Sequence, residues 1–148
     1  MEEDRELDML MRRKFFELIS RKYEAGAKSS ISKGPIEIKD VSEFNEWLRR
    51  ALAENKPVFV DFWAEWCMPC LMMAPIYKRV AESTANNAYF LKVNVDKLPE
   101  VAQKYGVRGI PTVIAFLKAK PIDQIVGLMP EEYLASWVKR IINLARRV

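Results

Sequence analysis

Cys67 and Cys70 are the only two cysteines in a chain of 148 residues that contains no histidine. They close the run Val58-Phe59-Val60-Asp61-Phe62-Trp63-Ala64-Glu65-Trp66-Cys67-Met68-Pro69-Cys70. The chemistry open to such a pair is disulfide exchange, in which a thiolate attacks one sulfur of a disulfide. The β-branched and aromatic run before the pair predicts a buried strand, and Leu71 through Ala81 reads as a helix, so the cysteines fall on a strand-to-helix junction. Cys67 then stands at a helix N-terminus, where unpaired amides and the positive end of the dipole favour the thiolate. Residues three apart in a first helical turn share a face, so Cys70 can resolve whatever Cys67 forms. Pro69 suits that first turn, because its missing N–H costs no intrahelical bond.

The rest of the composition narrows the alternatives. Without histidine, Ser-His and Cys-His catalysis and histidine-bearing metal sites cannot be built from this chain alone. No metal or other cofactor is called for. A disulfide closing so short a loop is a weak staple in the chain-entropy account, so a redox pair explains the cysteines better. Against 24 basic residues stand 20 acidic ones, a net charge of +4 on a mixed surface, and nucleic-acid binding is not expected. No apolar run reaches the roughly 18 residues of a membrane span. The start Met1-Glu2-Glu3-Asp4 has the wrong sign for a secretory signal. The expected location is cytoplasmic, where a cysteine pair persists mainly as a catalytic or sensing device.

Several elements must position the pair. Residues 2–24 predict a helix, with Leu7, Leu10, Met11, Phe15, Leu18 and Ile19 at spacings of three and four, acids early and bases late. Such a helix docks on the domain, pairs with itself, meets a membrane surface or partner, or is a frayed tail. The small and polar residues 25–35 read as a linker, giving a division into 1–35, helix and linker, and 36–148, the domain. A short strand Ile36–Ile38 precedes a helix capped by Ser42 and running to about Glu54, with Phe44, Trp47, Leu48, Ala51 and Leu52 as its buried stripe. The strand Val58–Trp63 is apolar on both faces, which fits the middle of a helix-covered sheet. Asp61 within it is the exception, and burial there should raise its pKa.

Further on, Pro75 should interrupt the helix, which kinks there and resumes to about Ser83. Tyr89–Val95 reads as an interior strand, and Pro99 and Gly106 frame a short helix over Glu100–Tyr105. Val113–Leu117 is a strand entered through Pro111, which taken alone needs no special peptide geometry. Lys118-Ala119 turns the chain into Ile122–Val126, and a last helix spans Pro130–Val148 with a basic end.

Set among these elements, Trp66-Cys67-Met68-Pro69-Cys70 resembles the Trp-Cys-Gly-Pro-Cys site of the thioredoxin family, with methionine in the glycine position. Asp61, Pro75, Arg108-Gly109-Ile110-Pro111-Thr112 and Val126-Gly127 match at the family's spacings, over roughly residues 36–148. The resemblance implies an α/β thioredoxin fold, a mixed central sheet between two helix layers in the order β-α-β-α-β-α-β-β-α. It implies protein-disulfide reductase activity, with Cys67 attacking, Cys70 resolving, Asp61 shuttling the Cys70 proton and Lys92 beside it. It also implies a cis Ile110–Pro111 bond facing the cysteines, and a substrate-binding surface of Trp66, Met68, Pro69, Ile110, Pro111, Val126, Gly127 and Leu128. Partners implied are a thioredoxin reductase as electron donor and client proteins with disulfides, with self-association or docking through residues 2–24. Oxidising relatives tend to carry histidine where Pro69 stands, which favours reduction; an isomerase or oxidase, an interaction module, or a cysteine pair sharing a metal across a dimer are the other readings. The family's usual hairpin glycine is missing at Lys118-Ala119.

Overall fold

The computed structural model of the protein describes residues 2–27 and 34–148, and side chains over 5–18 and 34–148. The described residues divide into two units, the N-terminal helix and the chain from residue 34 onward. The first unit is one helix, α1 (Glu2–Ala27). It runs three residues past the expected end, through Ala25-Gly26-Ala27: the flanking alanines are the best helix formers, and one glycine costs only about 1 kcal/mol. The expected linker over 25–35 is thereby shortened, and its residues 28–33 lie outside the described part, as does the Ile19 side chain of the apolar stripe. Leu7, Leu10, Met11 and Leu18 are exposed. An Arg12–Asp8 ion pair of 3.2 Å, one turn apart, braces the polar surface.

The second unit contains β1 (Ile36–Glu37), α2 (Val41–Glu54), β2 (Val58–Trp63), α3 (Met68–Thr84), β3 (Tyr89–Asn94), α4 (Pro99–Lys104), β4 (Thr112–Leu117), β5 (Lys120–Val126) and α5 (Glu131–Arg147). The strands form one sheet in the order β1-β3-β2-β4-β5. β2 lies at its centre, parallel to β3 and antiparallel to β4, and every one of its residues is buried. The element order expected from the sequence is the observed one.

Alternation along β2 sorts two cores onto the two faces of the sheet. Val58, Val60 and Phe62 pack with Phe44, Leu48 and Ala51 of α2 and with Val101 and Ala102 of α4. Phe59 faces the other way, with Met73, Tyr77 and Val80 of α3 and Leu134, Trp137, Val138 and Ile141 of α5. The Tyr77 hydroxyl ties α3 to the sheet, lying 3.0 Å from the Phe59 carbonyl and 2.9 Å from that of Leu91. Asp61 alternates with Phe59 and so belongs to the face that α3 covers.

Local choices differ from the expected ones at several places, and Leu52 of the expected α2 stripe is exposed. The cap of α2 is Asp40, not Ser42: its carboxylate accepts from Glu43 N–H at 2.8 Å, while Lys39 N–H donates to the Glu43 carboxylate at 3.2 Å. Helix α3 is continuous through Pro75. A helix-interior proline costs roughly 3 kcal/mol, which the buried Leu71, Met73, Ala74, Tyr77 and Val80 on either side offset. In the β4–β5 hairpin, Lys118 (φ 53°) and Ala119 (φ 63°) both take left-handed conformations without a glycine. The pairing on both sides, Leu117 with Lys120 and Phe116 with Pro121, holds them there, beside a register irregularity at Ala115/Phe116 that accommodates Pro121.

Candidate active site

The last residue of β2, Trp63, is followed by Ala64, Glu65 and Trp66, and the chain then enters α3 at Cys67. Cys67 is the N-cap, extended in backbone (φ −93°, ψ 102°), and its sulfur accepts the Cys70 N–H at 3.2 Å. An amide that would otherwise go unpaired in the first turn is thus aimed at the sulfur, which is the arrangement that stabilises negative charge on it. Cys67 and Cys70 are joined as a disulfide with Cα atoms 5.2 Å apart, both side chains being buried. Pro69 sits in the first turn of α3 as expected, exposed beside the half-buried Met68.

Opposite the disulfide is the entry to β4. Ile110–Pro111 is a cis peptide bond, and the Ile110 carbonyl lies 3.8 Å from Cys67 Sγ. In the reduced protein a Cys67 thiol can donate across that gap. Two bonds hold the loop: Thr112 Oγ1 donates to the Gly109 carbonyl at 2.5 Å, and Gly127 N–H donates to the Pro111 carbonyl at 2.7 Å. Gly127 has φ +97°, a conformation that side-chain-bearing residues avoid, so the bond that anchors Pro111 depends on this glycine. Pro111 is buried and Ile110 half-buried.

Around this mouth lies an apolar rim. Trp66 is 59% exposed, and Val126 and Leu128 are exposed as well. The Trp66 indole does not swing freely, because its Nε1 donates to Asp96 Oδ2 at 2.9 Å. Asp96 is itself set by the turn after β3, where Asn94 Oδ1 accepts from Asp96 N–H at 2.9 Å. Met72, one turn behind Met68 on α3, adds another exposed apolar side chain. Neither Asp96 nor Met72 stands out in the sequence; Met72 follows from helical spacing, whereas Asp96 is brought in by the fold.

On the sheet face that α3 covers the character reverses. Asp61 is fully buried, and neither of its carboxylate oxygens has a hydrogen-bond partner among the described residues. Burial raises its pKa from 3.8 to about 6 against the opposing pull of Lys92. Lys92 is its register partner on β3, and the ammonium sits over the Trp63 ring, 4.5 Å from the centroid. Glu37, unremarked in the sequence, joins the same neighbourhood: Trp63 Nε1 donates to its Oε2 at 3.2 Å. No group of three or more histidine, cysteine or carboxylate side chains able to hold a metal occurs among the described residues. No helix among them is long and apolar enough to cross a membrane.

A family model described as Thioredoxin matches residues 36–140. The thioredoxin of Alicyclobacillus acidocaldarius subsp. acidocaldarius is 40% identical over 95 residues, 64% of this chain and 90% of that one. Thioredoxin M4, chloroplastic, of Arabidopsis thaliana is 38% identical over 107 residues, covering 72% of this chain and 55% of that protein's length. Among solved structures, a mutant thioredoxin from Halobacterium salinarum superposes with a TM-score of 0.66 at 30% identity, over 76% of this chain and 94% of that one.

Proposed function

This chain belongs to the thioredoxin family, and from that premise we propose that its dithiol–disulfide exchange runs in the reducing direction, on protein disulfides, with Cys67 attacking and Cys70 resolving. The observation that carries the order of attack is the Cys70 N–H held 3.2 Å from Cys67 Sγ at the start of α3. Cys67 has the helix terminus to stabilise its thiolate; Cys70, a turn inside and buried, does not.

Atoms and electrons balance across two steps. The Cys67 thiolate bonds to one sulfur of the client disulfide, and the electron pair of the broken S–S bond leaves with the other client sulfur as a thiolate. Cys70 then gives its proton to the Asp61 carboxylate and attacks Cys67 Sγ, releasing the second client sulfur as a thiolate. The client is reduced to two thiols and the Cys67–Cys70 dithiol is oxidised to the disulfide. Asp61 is assigned as base because it is an ionisable group with a raised pKa on the sheet face that α3 covers. Lys92 holds its charge in check. In the first step the Ile110 backbone beside Cys67 pairs with an extended client segment, while Trp66, Met68, Pro69, Pro111, Val126, Gly127 and Leu128 shape the surface it meets.

Reduction is supported by Pro69, which leaves no cation between the cysteines to favour the dithiol form. The electron donor on this reading is a thioredoxin reductase, and the working compartment a reducing one such as the cytoplasm. Residues 36–148 form the redox domain and residues 1–35 an appended helix and linker that serves docking or self-association. Turnover of a protein disulfide such as that of insulin, with NADPH and a thioredoxin reductase, tests the reading. Efficient turnover together with a reduction potential near the family reductant's, about −270 mV, is the expected result. A potential close to that of disulfide isomerases, about −180 mV, would assign the chain to oxidation or isomerisation.

A further inference from the structure

A buried base must exchange its proton with solvent, yet Asp61 is wholly enclosed and its two oxygens have no hydrogen-bond partner among the described residues. The register of the sheet supplies a second carboxylate. Glu37 on β1 stands opposite Lys92 on β3, and Lys92 stands opposite Asp61 on β2. Directly paired residues point to the same face, and neighbouring strands lie about 4.8 Å apart, so the lysine residue has a carboxylate-bearing neighbour on each adjoining strand. Beyond Asp61 the row continues to Val113, which is apolar. Trp63 fastens the arrangement, with its indole N–H on Glu37 Oε2 at 3.2 Å and its ring under Lys92 Nζ at 4.5 Å. Unlike Asp61, Glu37 lies on the edge strand with part of the residue open to solvent, although its carboxylate is largely covered.

We propose that Glu37 is a positioning residue for the resolving step, the solvent-facing half of a two-carboxylate proton switch in which Glu37 and Asp61 share Lys92. The inference rests on the reading of Asp61 as the base for Cys70. One lysine cannot neutralise two carboxylates, so ionising either makes ionising the other costlier. Before resolution Glu37 carries the surplus proton, which leaves Lys92 to Asp61 and keeps Asp61 ionised. When Asp61 takes the proton of Cys70, its negative charge vanishes, Lys92 turns to Glu37, and Glu37 loses its own proton to water. One proton enters the row from the buried thiol and one leaves at the exposed edge, with no water needed beside Asp61.

The charges acting on Glu37 agree with this arrangement. Burial of its carboxylate end raises its pKa to about 7, Lys92 and Lys97 lower it, the Trp63 hydrogen bond lowers it, and the Asp61 charge raises it. An influence of Asp61 on Glu37 implies the same influence in return. The buried residues of the helices covering this face, α3 and α5, carry no charge.

The test is the titration of Asp61, followed by 13C NMR of its side-chain carboxyl in the reduced protein, for the full chain and its Glu37→Gln variant. Glutamine still accepts the Trp63 N–H, so a purely structural Glu37 leaves the titration unmoved. The wild-type curve should be broad or two-stepped, and Glu37→Gln should collapse it to a one-proton curve with its midpoint lower by roughly 0.5 pH unit. An unchanged shape and midpoint would overturn the proposal. Glu37→Asp, which keeps the charge but shortens the reach to Trp63, should retain the broad curve; loss of breadth there too would show that the indole bond, not the charge, matters. A kinetic arm separates this from the base assignment: resolution of a preformed mixed disulfide, measured across pH. Glu37→Gln should move the acid limb in the wild-type background and shift nothing in Asp61→Asn. If Asp61→Asn itself leaves resolution unchanged, the base assignment fails while the titration still reports on the coupling.

Discussion

The rim around the disulfide and the charged row on the sheet are built on opposite principles. The rim of Trp66, Met72, Val126 and Leu128 leaves large apolar groups in water. On the sheet face that α3 covers, the floor of Asp61, Lys92 and Glu37 collects titratable groups, with Asp61 fully enclosed. Each arrangement costs stability, the rim through unburied apolar surface and the floor through desolvated charge. Folding alone would favour the reverse on both sides. On the proposed function, the contrast separates recognition of a client from the proton chemistry that follows.

The largest effect should come from the point where rim and floor meet. Cys67→Ser removes the nucleophile, and insulin reduction should fall to the uncatalysed level while the far-ultraviolet dichroism remains that of the folded protein. Residual turnover above background would mean that Cys70 can begin the reaction and that the two sides are not distinguished as described.

Next comes the floor. Asp61→Asn should slow resolution of the mixed disulfide by about 10²-fold, within the range for a positioned general base, and leave the first attack nearly unchanged. It should also stabilise the fold at neutral pH. With the folded pKa raised from 3.8 to about 6, the folded state holds its proton more tightly than the unfolded one. Stability contributed by the protonated group is therefore complete below about pH 4 and lost as pH rises through 6. The gain from Asp61→Asn should follow the opposite course, absent near pH 4 and on the order of 3 kcal/mol above pH 6. Urea midpoints at pH 4 and pH 7 check this; equal gains at both would show that folding does not raise the Asp61 pKa.

A smaller change is expected at the rim. Met68→Gly deletes a flexible apolar side chain beside the nucleophile, so KM for apolar protein clients should worsen by about 1 kcal/mol, with exchange on small disulfides nearly unaltered. Equal losses on both would move Met68 from recognition to the chemistry. The smallest effect should come from removing residues 1–34, since rim and floor both belong to the chain beyond them. Turnover of the truncated protein should match the full chain's, with a change in solution mass or client range marking what the helix contributes. Loss of turnover in a folded truncation would break the separation.

How much of this could be read in the sequence follows the same division. Cys67, Pro69 and Cys70 were legible because their spacing is local, and the central strand because six consecutive residues are apolar or aromatic but for Asp61. The element order followed from the same periodicities. Glu37 and Asp96 were not legible, because one acquires its place through strand register 55 residues from Lys92 and the other through a bond to an indole 30 residues away. The break expected at Pro75 is absent for a related reason: proline's local penalty is visible in sequence, whereas the packing on both sides that offsets it is tertiary. Lys118 and Ala119 likewise take left-handed conformations that their residue types disfavour, held by the strand pairing on either side.

The central claim is that Cys67, at the meeting of rim and floor, attacks first and Cys70 resolves. The most direct measurement mixes the reduced Cys70→Ser and Cys67→Ser proteins separately with a disulfide client and reads the products by intact mass. The account predicts a stable adduct of the client with Cys70→Ser, linked through Cys67, and none with Cys67→Ser. An adduct through Cys70 in Cys67→Ser, formed as fast as the other, would contradict it.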